Sequence, residues 1–305
     1  MVVEFKATRA DNAVHIINAV NVEYLLGRRP PWFRQGKYRD DDAHFAVCPY
    51  CDNPIQLKAL YRKSEQSPAP YGSHVGKPIT GFAFDPERVD ICPYQLHNRS
   101  LKKSDRRQPS KLGQELIELA LAQFDRIIHV LAADLGFWPS RGLSIRMLES
   151  WLTSEGFDYV GAHRRNLPWM IAYFSKSEPL FGQRVRTNST LSKQIEKLVP
   201  WSKIDESGRL SKGTSFYQIS FQFLHHKTEL LSNKKLKETL RFRVQDFSHT
   251  NLPQKAPTLL DETIIVDAPR FETLIQLPDD HPKRDLALVA QAKNAASHLG
   301  YKYGG

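Results

Sequence analysis

Two short stretches that share the tripeptide Cys-Pro-Tyr place the strongest constraint on how this chain can fold. The first is CPYC, from Cys48 to Cys51, and the second is CPYQLH, from Cys92 to His97. Together they contain all three cysteines of the 305-residue chain. A Cys-x-x-Cys pair turns two thiolates toward one ion, and a second segment with a cysteine and a histidine completes a tetrahedral set. The pattern therefore predicts one metal site that joins two separate segments.

The predicted ligands are Cys48, Cys51, Cys92 and His97, and the predicted ion is one structural Zn²⁺. His97 is preferred as the fourth ligand because it lies in the same short segment as Cys92. The alternatives to His97 are two histidines outside that segment, His74 and, less favoured, His44. Such a site suits residues 40–100, which are rich in turns and poor in long apolar runs. Four protein ligands leave no open position, so the zinc is expected to be structural and not catalytic.

A redox role is the main alternative for the first stretch. CPYC is the active-site motif of the glutaredoxins, and the resemblance covers these four residues. It implies that Cys48 begins a helix that lowers the pKa of its thiol. The following residues, Asp52-Asn53-Pro54, favour a turn and oppose such a helix. A second alternative is that the cysteines are small buried apolar residues, but the repeated Cys-Pro-Tyr segments favour a metal site.

The composition favours a folded protein of the cytoplasm. Hydrophobic residues make up 41% of the chain, which is enough to bury a core. No apolar run is long enough to cross a bilayer, and the first apolar run carries charge, unlike a signal peptide. An odd number of cysteines argues against a disulfide framework. The predicted location is therefore cytoplasmic, where thiols stay reduced, and no membrane partner is expected.

Periodicity divides the chain into three parts of an α+β protein. Residues 1–108 are predicted to form a zinc-stapled N-terminal module that is basic and rich in strands and loops. Residues 109–205 form a predicted helical middle region, and residues 206–305 a mixed β/α C-terminal region. Within the first part, residues 15–26 show short apolar alternations with little helical period, which favours strands over a helix.

The predicted helices are marked by their caps. Ser110 caps a first helix that runs to Gly136, Ser144 caps a second that ends at Gly156, and Asn166 caps a third. Residues 191–199 form a fourth. The first helix has an apolar stripe at helical spacing, formed by Ile117, Leu121, Phe124, Ile128, Leu131 and Leu135.

The pattern changes to alternation after residue 205. Residues 216–224 and 239–247 alternate apolar and polar side chains, so each is predicted to be a strand with one buried face. Residues 262–268 and 271–277 are further predicted strands. Residues 282–300 are predicted to end the chain as a helix.

A net charge of +10 indicates a polyanionic partner, most simply DNA or RNA. The segment from Leu252 to Gly305 holds six Lys/Arg against seven Asp/Glu, so the surplus lies in the first 251 residues. Residues 97–111 are predicted to be a flexible basic linker that contacts phosphates without base specificity. The predicted nucleic-acid-binding residues are Arg28, Arg29, Trp32, Arg34, Lys37, Tyr38, Arg39, Lys102, Lys103, Arg106, Arg107, Arg164, Arg165, Arg241 and Arg243.

Two of these residues are aromatic, and one or the other is expected to stack on an unpaired base. They are Trp32 and Tyr38. The alternative for Trp32 is that it packs inward beneath a solvated basic loop. Arg241 and Arg243 are expected to project from the same face of one strand, because side chains alternate along a strand.

No catalytic motif stands out, so no catalytic residue is assigned. The chain lacks a Walker A loop, a Gly-rich dinucleotide loop, a His-Glu-x-x-His motif and a nucleophile elbow. One alternative is a metal-dependent nuclease that uses His225, His226, Asp261 and Glu262. Another is a protein-interaction scaffold whose charge serves only solubility.

These features together predict a non-catalytic, zinc-containing nucleic-acid-binding protein. The expected setting is a bacterial multi-protein nucleoprotein complex, for example an RNA-guided or other anti-phage complex. The overall plan resembles that of the large subunits of such complexes, and no single motif carries the resemblance. The expected partners are DNA or RNA and other proteins of the complex.

Overall fold

The computed structural model describes residues 1–37, 42–61, 68–97, 100–282 and 284–301. The chain is a mixed α and β protein that divides into two compact units. Unit 1 comprises Met1–Ser100 and Thr228–Lys237, and unit 2 comprises Leu101–Lys227 and Glu238–Gly305. The predicted boundary at residue 108 lies near one of these divisions, and the one at residue 205 falls inside unit 2.

Unit 1 consists of short strands and short helices. In chain order they are β1 (Glu4–Phe5), β2 (His15–Ile16), α1 (Ala19–Leu25), β3 (Phe33–Arg34), β4 (Ala43–Val47), β5 (Pro54–Lys58), β6 (Tyr71–His74), α2 (Pro86–Asp90) and α3 (Pro93–Leu96). Strands β3, β4, β5 and β6 form an antiparallel sheet in that order. Residues 15–26 were predicted to form strands, but they contain the helix α1 as well as the strand β2. This helix begins after Asn18, whose side chain accepts a hydrogen bond from the Asn21 N–H.

The core of unit 1 is small and surrounds the two Cys-Pro-Tyr segments. It contains the three cysteines together with buried side chains such as Phe5, Val22 and Ile55. Leu230 and Leu236, from the hairpin tip Thr228–Lys237, pack against the same cluster. Unit 1 is therefore built from two stretches that lie far apart in the sequence.

The elements after Ser100 include longer helices and strands. In chain order they are α4 (Lys111–Ala122), α5 (Phe124–Leu135), β7 (Phe137–Trp138), α6 (Arg141–Thr153), α7 (Leu167–Phe174), β8 (Glu178–Pro179), β9 (Arg184–Val185), α8 (Thr190–Leu198), β10 (Lys203–Ile204), β11 (Leu210–Ser211), β12 (Ile219–Leu230), β13 (Leu236–Asp246), β14 (Thr258–Ile265), α9 (Ala268–Ile275) and α10 (Leu286–His298). Single 3₁₀ turns occur at Gly156–Asp158 and Arg164–Asn166. None of the described helices combines the length and hydrophobicity that crossing a membrane requires.

The predicted caps of the first helix are confirmed, but the helix is interrupted. Ser110 accepts a hydrogen bond from the Gly113 N–H, and Gly136 ends the second half in the left-handed conformation, with φ of 70°. Gln123, with φ of −118°, ends α4 and begins α5. Arg126 Nη1 donates to Gln123 Oε1 over 2.6 Å at this break.

The second helix begins one turn earlier than predicted. Ser140, not Ser144, is its N-cap, and its side chain accepts a hydrogen bond from the Leu143 N–H. Ser144 lies buried inside α6, where its Oγ donates to the Ser140 carbonyl over 3.0 Å. Both serines suit an N-cap by residue type, so local sequence does not distinguish them.

The main sheet has the strand order β14, β13, β12, β8. The predicted alternation of β12 and β13 is confirmed, since Phe221 and Phe242 are buried and their ring centroids lie 6.0 Å apart. Residues 271–277 were predicted as a strand, but residues 271–275 belong to helix α9 and Gln276 is its C-cap. Asp267 accepts a hydrogen bond from the Arg270 N–H at the start of that helix.

Candidate metal centre and basic residues

Cys48, Cys51, His74 and Cys92 lie together in unit 1. One ligand atom from each residue, Sγ or an imidazole nitrogen, lies within 4.8 Å of all the others. The Sγ atoms of Cys48 and Cys92 are 3.9 Å apart, far beyond the bond length of a disulfide, which is about 2.05 Å. Cys51 Sγ lies 3.3 Å from His74 Nε2. The four residues form a Cys₃His group that can hold a metal ion.

A tight turn between β4 and β5 positions two of the thiols. Cys48 directly follows β4, and its N–H donates to the Asn53 carbonyl over 2.9 Å. The Asp52 N–H donates back to the Cys48 carbonyl over 3.0 Å, and Asp52 has φ of 58°. No helix begins at Cys48, so the feature that lowers the thiol pKa in glutaredoxins is missing at this turn.

The other two ligand residues come from the end of β6 and the start of α3. His74 is the last residue of β6, and the β5–β6 register pairs it with Ile55, just after the turn. Cys92 is the N-cap of α3, and its side chain makes no capping hydrogen bond. Tyr50 and Tyr94, the tyrosines of the two Cys-Pro-Tyr segments, pack edge to face with ring centroids 5.5 Å apart. The repeated tripeptide thus supplies the thiols and an aromatic contact between the two segments.

The structure brings the alternative fourth residue, His74, to the cysteines in place of His97. His97 is the C-cap of α3, and its Nδ1 lies 2.9 Å from the Tyr94 carbonyl oxygen. Cys92 and His97 therefore stand at opposite ends of a helix, where helical rise alone separates the two backbones by about 7.5 Å. Nearness in sequence, the basis for preferring His97, does not place its side chain at the thiols.

Burial opposes the ionisation of all three thiols. It raises the pKa of Cys51 and of Cys92 well above the usual range, and their hydrogen bonds with Cys48 act in the same direction. At Cys48 burial also raises the pKa, but hydrogen bonds from the other three ligand residues outweigh it and hold the pKa well below the usual range. The pKa of Cys48 and those of the other two thiols thus shift in opposite directions, and a dication at the centre of the group would stabilise all three as thiolates.

A buried ionic network is centred on Asp52 of the same turn. Asp52 Oδ1 is 2.6 Å from Lys6 Nζ, and Asp52 Oδ2 is 3.3 Å from Arg88 Nη1. These three side chains are only 4–6% exposed. The second carboxylate on Arg88, that of Asp85, is 39% exposed. Two buried cations therefore contact the carboxylate of the residue that follows Cys51, and positive charge at this turn complements the net charge of −1 of three thiolates around a dication.

Asn53 fastens the cysteine turn to the start of α2, and its removal should weaken the site. Its Nδ2 donates to the Cys51 carbonyl over 2.9 Å, and its Oδ1 accepts from the Asp85 N–H over 2.7 Å. We expect Asn53→Ala to lower the free energy of unfolding by about 2 kcal/mol, because the buried Cys51 carbonyl and the partly buried Asp85 N–H each lose a hydrogen bond. We also expect faster metal release, measured by transfer of the metal to a coloured chelator.

The matched control is Asn21→Ala, which removes an exposed hydrogen bond from Asn21 Nδ2 to the Ile16 carbonyl. This variant should release metal at the wild-type rate and lose less stability. Equal release rates for wild type and Asn53→Ala would contradict the role given to Asn53.

The basic stretch of residues 28–37 is exposed in unit 1 where the structure describes it. Its exposed cations are Arg28, Arg29, Arg34 and Lys37. The Arg28 guanidinium lies 5.7 Å from the Phe33 ring centroid, and that of Arg34 lies 5.3 Å from the Phe45 centroid. Tyr38 and Arg39 lie outside the described residues.

Trp32 packs inward, which was the alternative to base stacking. Its Nε1 donates to the Ala7 carbonyl over 2.8 Å, and its ring packs against the core of unit 1. The Arg29 guanidinium lies 5.3 Å from this ring, so Trp32 supports a cation. Sequence reasoning missed Tyr61, which is 50% exposed and lies 5.7 Å from the Arg28 guanidinium. Only the fold shows this contact, because the two residues are far apart in the sequence.

The predicted flexible linker is anchored over residues 105–107. The Arg107 N–H donates to the Asp158 carbonyl over 2.8 Å, and the Val160 N–H donates to the Asp105 carbonyl over 3.1 Å. The Arg107 side chain is buried and lies 3.6 Å from the Asp158 carboxylate. Arg106 donates to the Ser154 carbonyl over 2.6 Å. Arg107 is therefore a structural residue and not a phosphate contact.

Lys102 and Lys103 remain exposed, as a phosphate contact requires. The Lys103 Nζ lies 5.0 Å from the Tyr173 ring centroid. The neighbouring Tyr173 and Phe174 rings displace water from the Lys103 ammonium, and this desolvation lowers its pKa; the nearby charge of Arg106 lowers it further. The phosphate role of these lysines stays a prediction.

Among the remaining predicted arginines, Arg165 is excluded as a phosphate contact. It is buried and pairs with Glu272 over 2.9 Å. Arg164 is half-buried. Arg241 and Arg243 of β13 both reach the Asp261 carboxylate on β14, at 2.5 and 2.9 Å, so a phosphate would have to compete with Asp261.

The residues of the nuclease alternative do not form one site. His226 is buried, and its Nε2 lies 3.4 Å from Glu238 Oε2. His225 is exposed and has φ of 51°, which marks an irregularity in β12. Asp261 is held by two arginines, and Glu262 is exposed.

Within the described ranges, the Cys₃His group is the only set of three or more His, Cys, Asp or Glu side chains that converges closely enough to hold a metal ion. The group lies entirely in unit 1. Comparison of the chain with models of known protein families, with curated proteins and with solved structures gives no match.

Proposed function

We propose that Cys48, Cys51, His74 and Cys92 hold one structural Zn²⁺ in a nucleic-acid-binding protein without catalytic activity. The observation that carries the zinc proposal is the spacing of the ligand atoms. Zn–S bonds of about 2.3 Å and a Zn–N bond of about 2.0 Å in a tetrahedron give edges of about 3.8 Å for S–S and about 3.5 Å for S–N. The measured distances of 3.9 Å and 3.3 Å lie close to these values.

The donor set also favours zinc over other metals. Three soft thiolates and one imidazole suit Zn²⁺, whereas Mg²⁺ and Ca²⁺ prefer oxygen donors. Four protein ligands fill a tetrahedral site and leave no position for a substrate or an activated water. The zinc would therefore stabilise the small core of unit 1 and take no part in a reaction.

The nucleic-acid proposal rests first on the exposed cations of residues 28–37. Guanidinium groups bind phosphate oxygens in pairs, and their attraction to a polyanion does not depend on sequence. Contact with aromatic rings restricts the freedom of Arg28, Arg29 and Arg34, so less entropy is lost on binding. Glu23 pairs with Arg28 over 3.4 Å, and a phosphate would displace it. Tyr61 offers an exposed ring on which an unpaired base can stack.

The hairpin tip supplies a second group of cations in unit 1. Residues 228–237 contain three lysines and one glutamate, and Lys234 and Lys235 are exposed. These two lysines are remote in the sequence from the other basic stretches. In the proposal they are further phosphate contacts.

The proposed setting is a bacterial nucleoprotein complex of several proteins, for example an RNA-guided or other anti-phage complex. A zinc-stabilised module with a basic surface suits a subunit that binds nucleic acid for a partner that acts on it. The isolated chain is tested first, because its own affinity for nucleic acid decides whether this setting needs to be considered.

The test is fluorescence anisotropy of labelled single-stranded DNA, duplex DNA and RNA across a salt series. We expect tight binding to at least one of them. The triple variant Arg28→Gln/Arg29→Gln/Arg34→Gln should bind on the order of 100-fold more weakly, at about 1 kcal/mol per lost contact. Its plot of log affinity against log salt should be shallower by roughly 2–3, since each phosphate contact contributes about 0.7–0.9.

The control variant is Lys176→Gln/Lys197→Gln/Lys255→Gln, which removes three exposed charges elsewhere. It should keep nearly all of the affinity and the salt slope. An equal loss in both variants would show that only net charge matters. Absence of binding to all three ligands at low salt would overturn the nucleic-acid proposal for the isolated chain.

A further inference from the structure

A cleft in unit 2 lies where α6 begins and the short strands β7 and β9 meet. Its volume is about 530 Å³, within the range of small-molecule sites. Trp138 of β7, Arg184 of β9 and Ser140, the N-cap of α6, line it. Ser207 and Arg209, from the turn before β11, line it as well.

Strand pairing sets three of these residues in a row. Trp138 is the Cα partner of Arg184 in the antiparallel pair of β7 and β9, and Arg184 forms a β-bridge with Arg209. Residues directly opposite each other on neighbouring strands project from the same face. The row therefore places an aromatic ring beside two guanidinium groups. Trp138 is 44% exposed, which leaves part of its ring accessible.

The cleft is positively charged overall. Two of its lining residues, Arg184 and Arg209, are cations; nearby, the guanidinium of Arg186 lies 4.9 Å from the Trp138 ring centroid, and its Nη2 donates to the Ala132 carbonyl over 2.8 Å. The 13-residue helix α6 begins at the cleft, and the N-terminal end of a helix favours an anion. The opposing acid is Asp205, whose Oδ1 accepts hydrogen bonds from Ser207 N, Ser207 Oγ and Arg209 N at 2.9, 2.6 and 3.0 Å. One oxygen of its carboxylate is thus engaged within its own turn.

We propose that this cleft binds a nucleoside 5′-phosphate, with the base stacked on Trp138 and the phosphate held by Arg184 and Arg209. A flat ring next to paired cations matches the two chemical parts of such a ligand. The ligand is either a free nucleotide or the 5′-terminal residue of a strand, since both present the same groups. The site lies in unit 2 and needs neither the zinc site nor the basic surface of unit 1.

The test is calorimetric titration of the full chain with 5′-AMP, adenosine and inorganic phosphate. We expect saturable binding of AMP that is at least ten-fold tighter than that of either part alone. Trp138→Ala and Arg209→Gln should each weaken AMP binding at least ten-fold. Both side chains are exposed, so the circular dichroism spectrum should stay unchanged. The control Arg29→Gln removes an equal charge in unit 1 and should not affect AMP binding.

Two outcomes would overturn the proposal. One is AMP binding that Trp138→Ala and Arg209→Gln leave unchanged. The other is AMP binding no tighter than that of inorganic phosphate, which would indicate an anion site without base recognition. Competition of AMP with a 5′-phosphorylated oligonucleotide, but not with its 5′-hydroxyl form, would support the site and identify the strand end as ligand. AMP binding without such competition would support the site and identify a free nucleotide.

AMP binding that persists in Arg28→Gln/Arg29→Gln/Arg34→Gln would separate this site from the unit 1 surface. The cleft proposal and the nucleic-acid proposal can therefore fail independently.

Discussion

His74→Ala will lose the bound metal and the folded structure of unit 1, whereas His97→Ala will keep both. Structural zinc contributes an apparent binding free energy of about 10–16 kcal/mol in zinc-finger peptides, comparable with the whole stability of a domain, about 5–15 kcal/mol. The core of unit 1 is small and includes the three cysteines themselves. Without the metal, the buried thiols would no longer be joined to one another. We therefore expect that unit 1 would no longer unfold cooperatively.

The measurement is the metal content of the purified protein by mass spectrometry, with thermal unfolding of the same samples. We expect one zinc per chain in the wild type and in His97→Ala, and none in His74→Ala. Removal of zinc from the wild type by a chelator should reproduce the unfolding behaviour of His74→Ala. Zinc retained in His74→Ala, or lost in His97→Ala, would contradict the ligand set.

Glu238→Gln will lower the free energy of unfolding of unit 2 by about 3–5 kcal/mol. The Glu238 carboxylate is buried and accepts hydrogen bonds from Asn166 Nδ2 and His163 Nε2, both over 2.8 Å. His226 Nε2 lies 3.4 Å from its second oxygen. Removing the charge of this buried carboxylate weakens the hydrogen bonds from its three partners, and the loss of a buried charged group from such a set typically has this size. Urea unfolding monitored by tryptophan fluorescence measures the effect.

The effect should depend on pH in a defined direction. Burial alone would raise the pKa of Glu238, but the charge and hydrogen bond of His163, together with those of His226, hold it well below its ordinary value of 4.5. A carboxylate whose pKa is lower in the folded state than in the unfolded state contributes its full stability when the pH is above its unfolded-state pKa. That stability is lost as the pH falls toward its folded-state pKa.

The difference between wild type and Glu238→Gln should therefore shrink below about pH 4.5. The control Glu262→Gln, exposed on β14, should change stability little at any pH. A difference between wild type and Glu238→Gln that grows as the pH falls would contradict the role assigned to Glu238.

The candidate site was partly predictable because cysteine spacing reports chemistry directly. Cys48, Cys51 and Cys92 could be assigned from two short segments alone. The fourth residue could not, because His74 reaches the thiols through the pairing of β5 with β6, and strand register is not encoded at the histidine itself. His97 was preferred because it is near Cys92 in the sequence, whereas His74 lies at the end of a strand that the pairing brings to the thiols.

The parts of the fold that depend on local sequence were also predictable, whereas those that depend on long-range contacts were not. Ser110 and Gly136 were predictable, since capping depends on residues within one turn. The break at Gln123 was not predictable, because no glycine or proline marks it in the sequence. Residues 271–277 have apolar and polar residues that fit either a strand or a helix, and the Asp267 cap decides for the helix. Arg107 and Arg165 look like surface cations in the sequence, and only their buried partners Asp158 and Glu272 show otherwise.

The discontinuous chain path of unit 1 has a consequence for its biosynthesis. All four residues of the Cys₃His group lie within the first hundred residues, so a metal ion can bind while the rest of the chain is still being made. Leu230 and Leu236, which complete the core of unit 1, follow only after residues 101–227. At translation rates of about 5–20 residues per second, this delay lasts roughly 6–25 s. During that interval the metal would hold together a nascent module whose core is still incomplete.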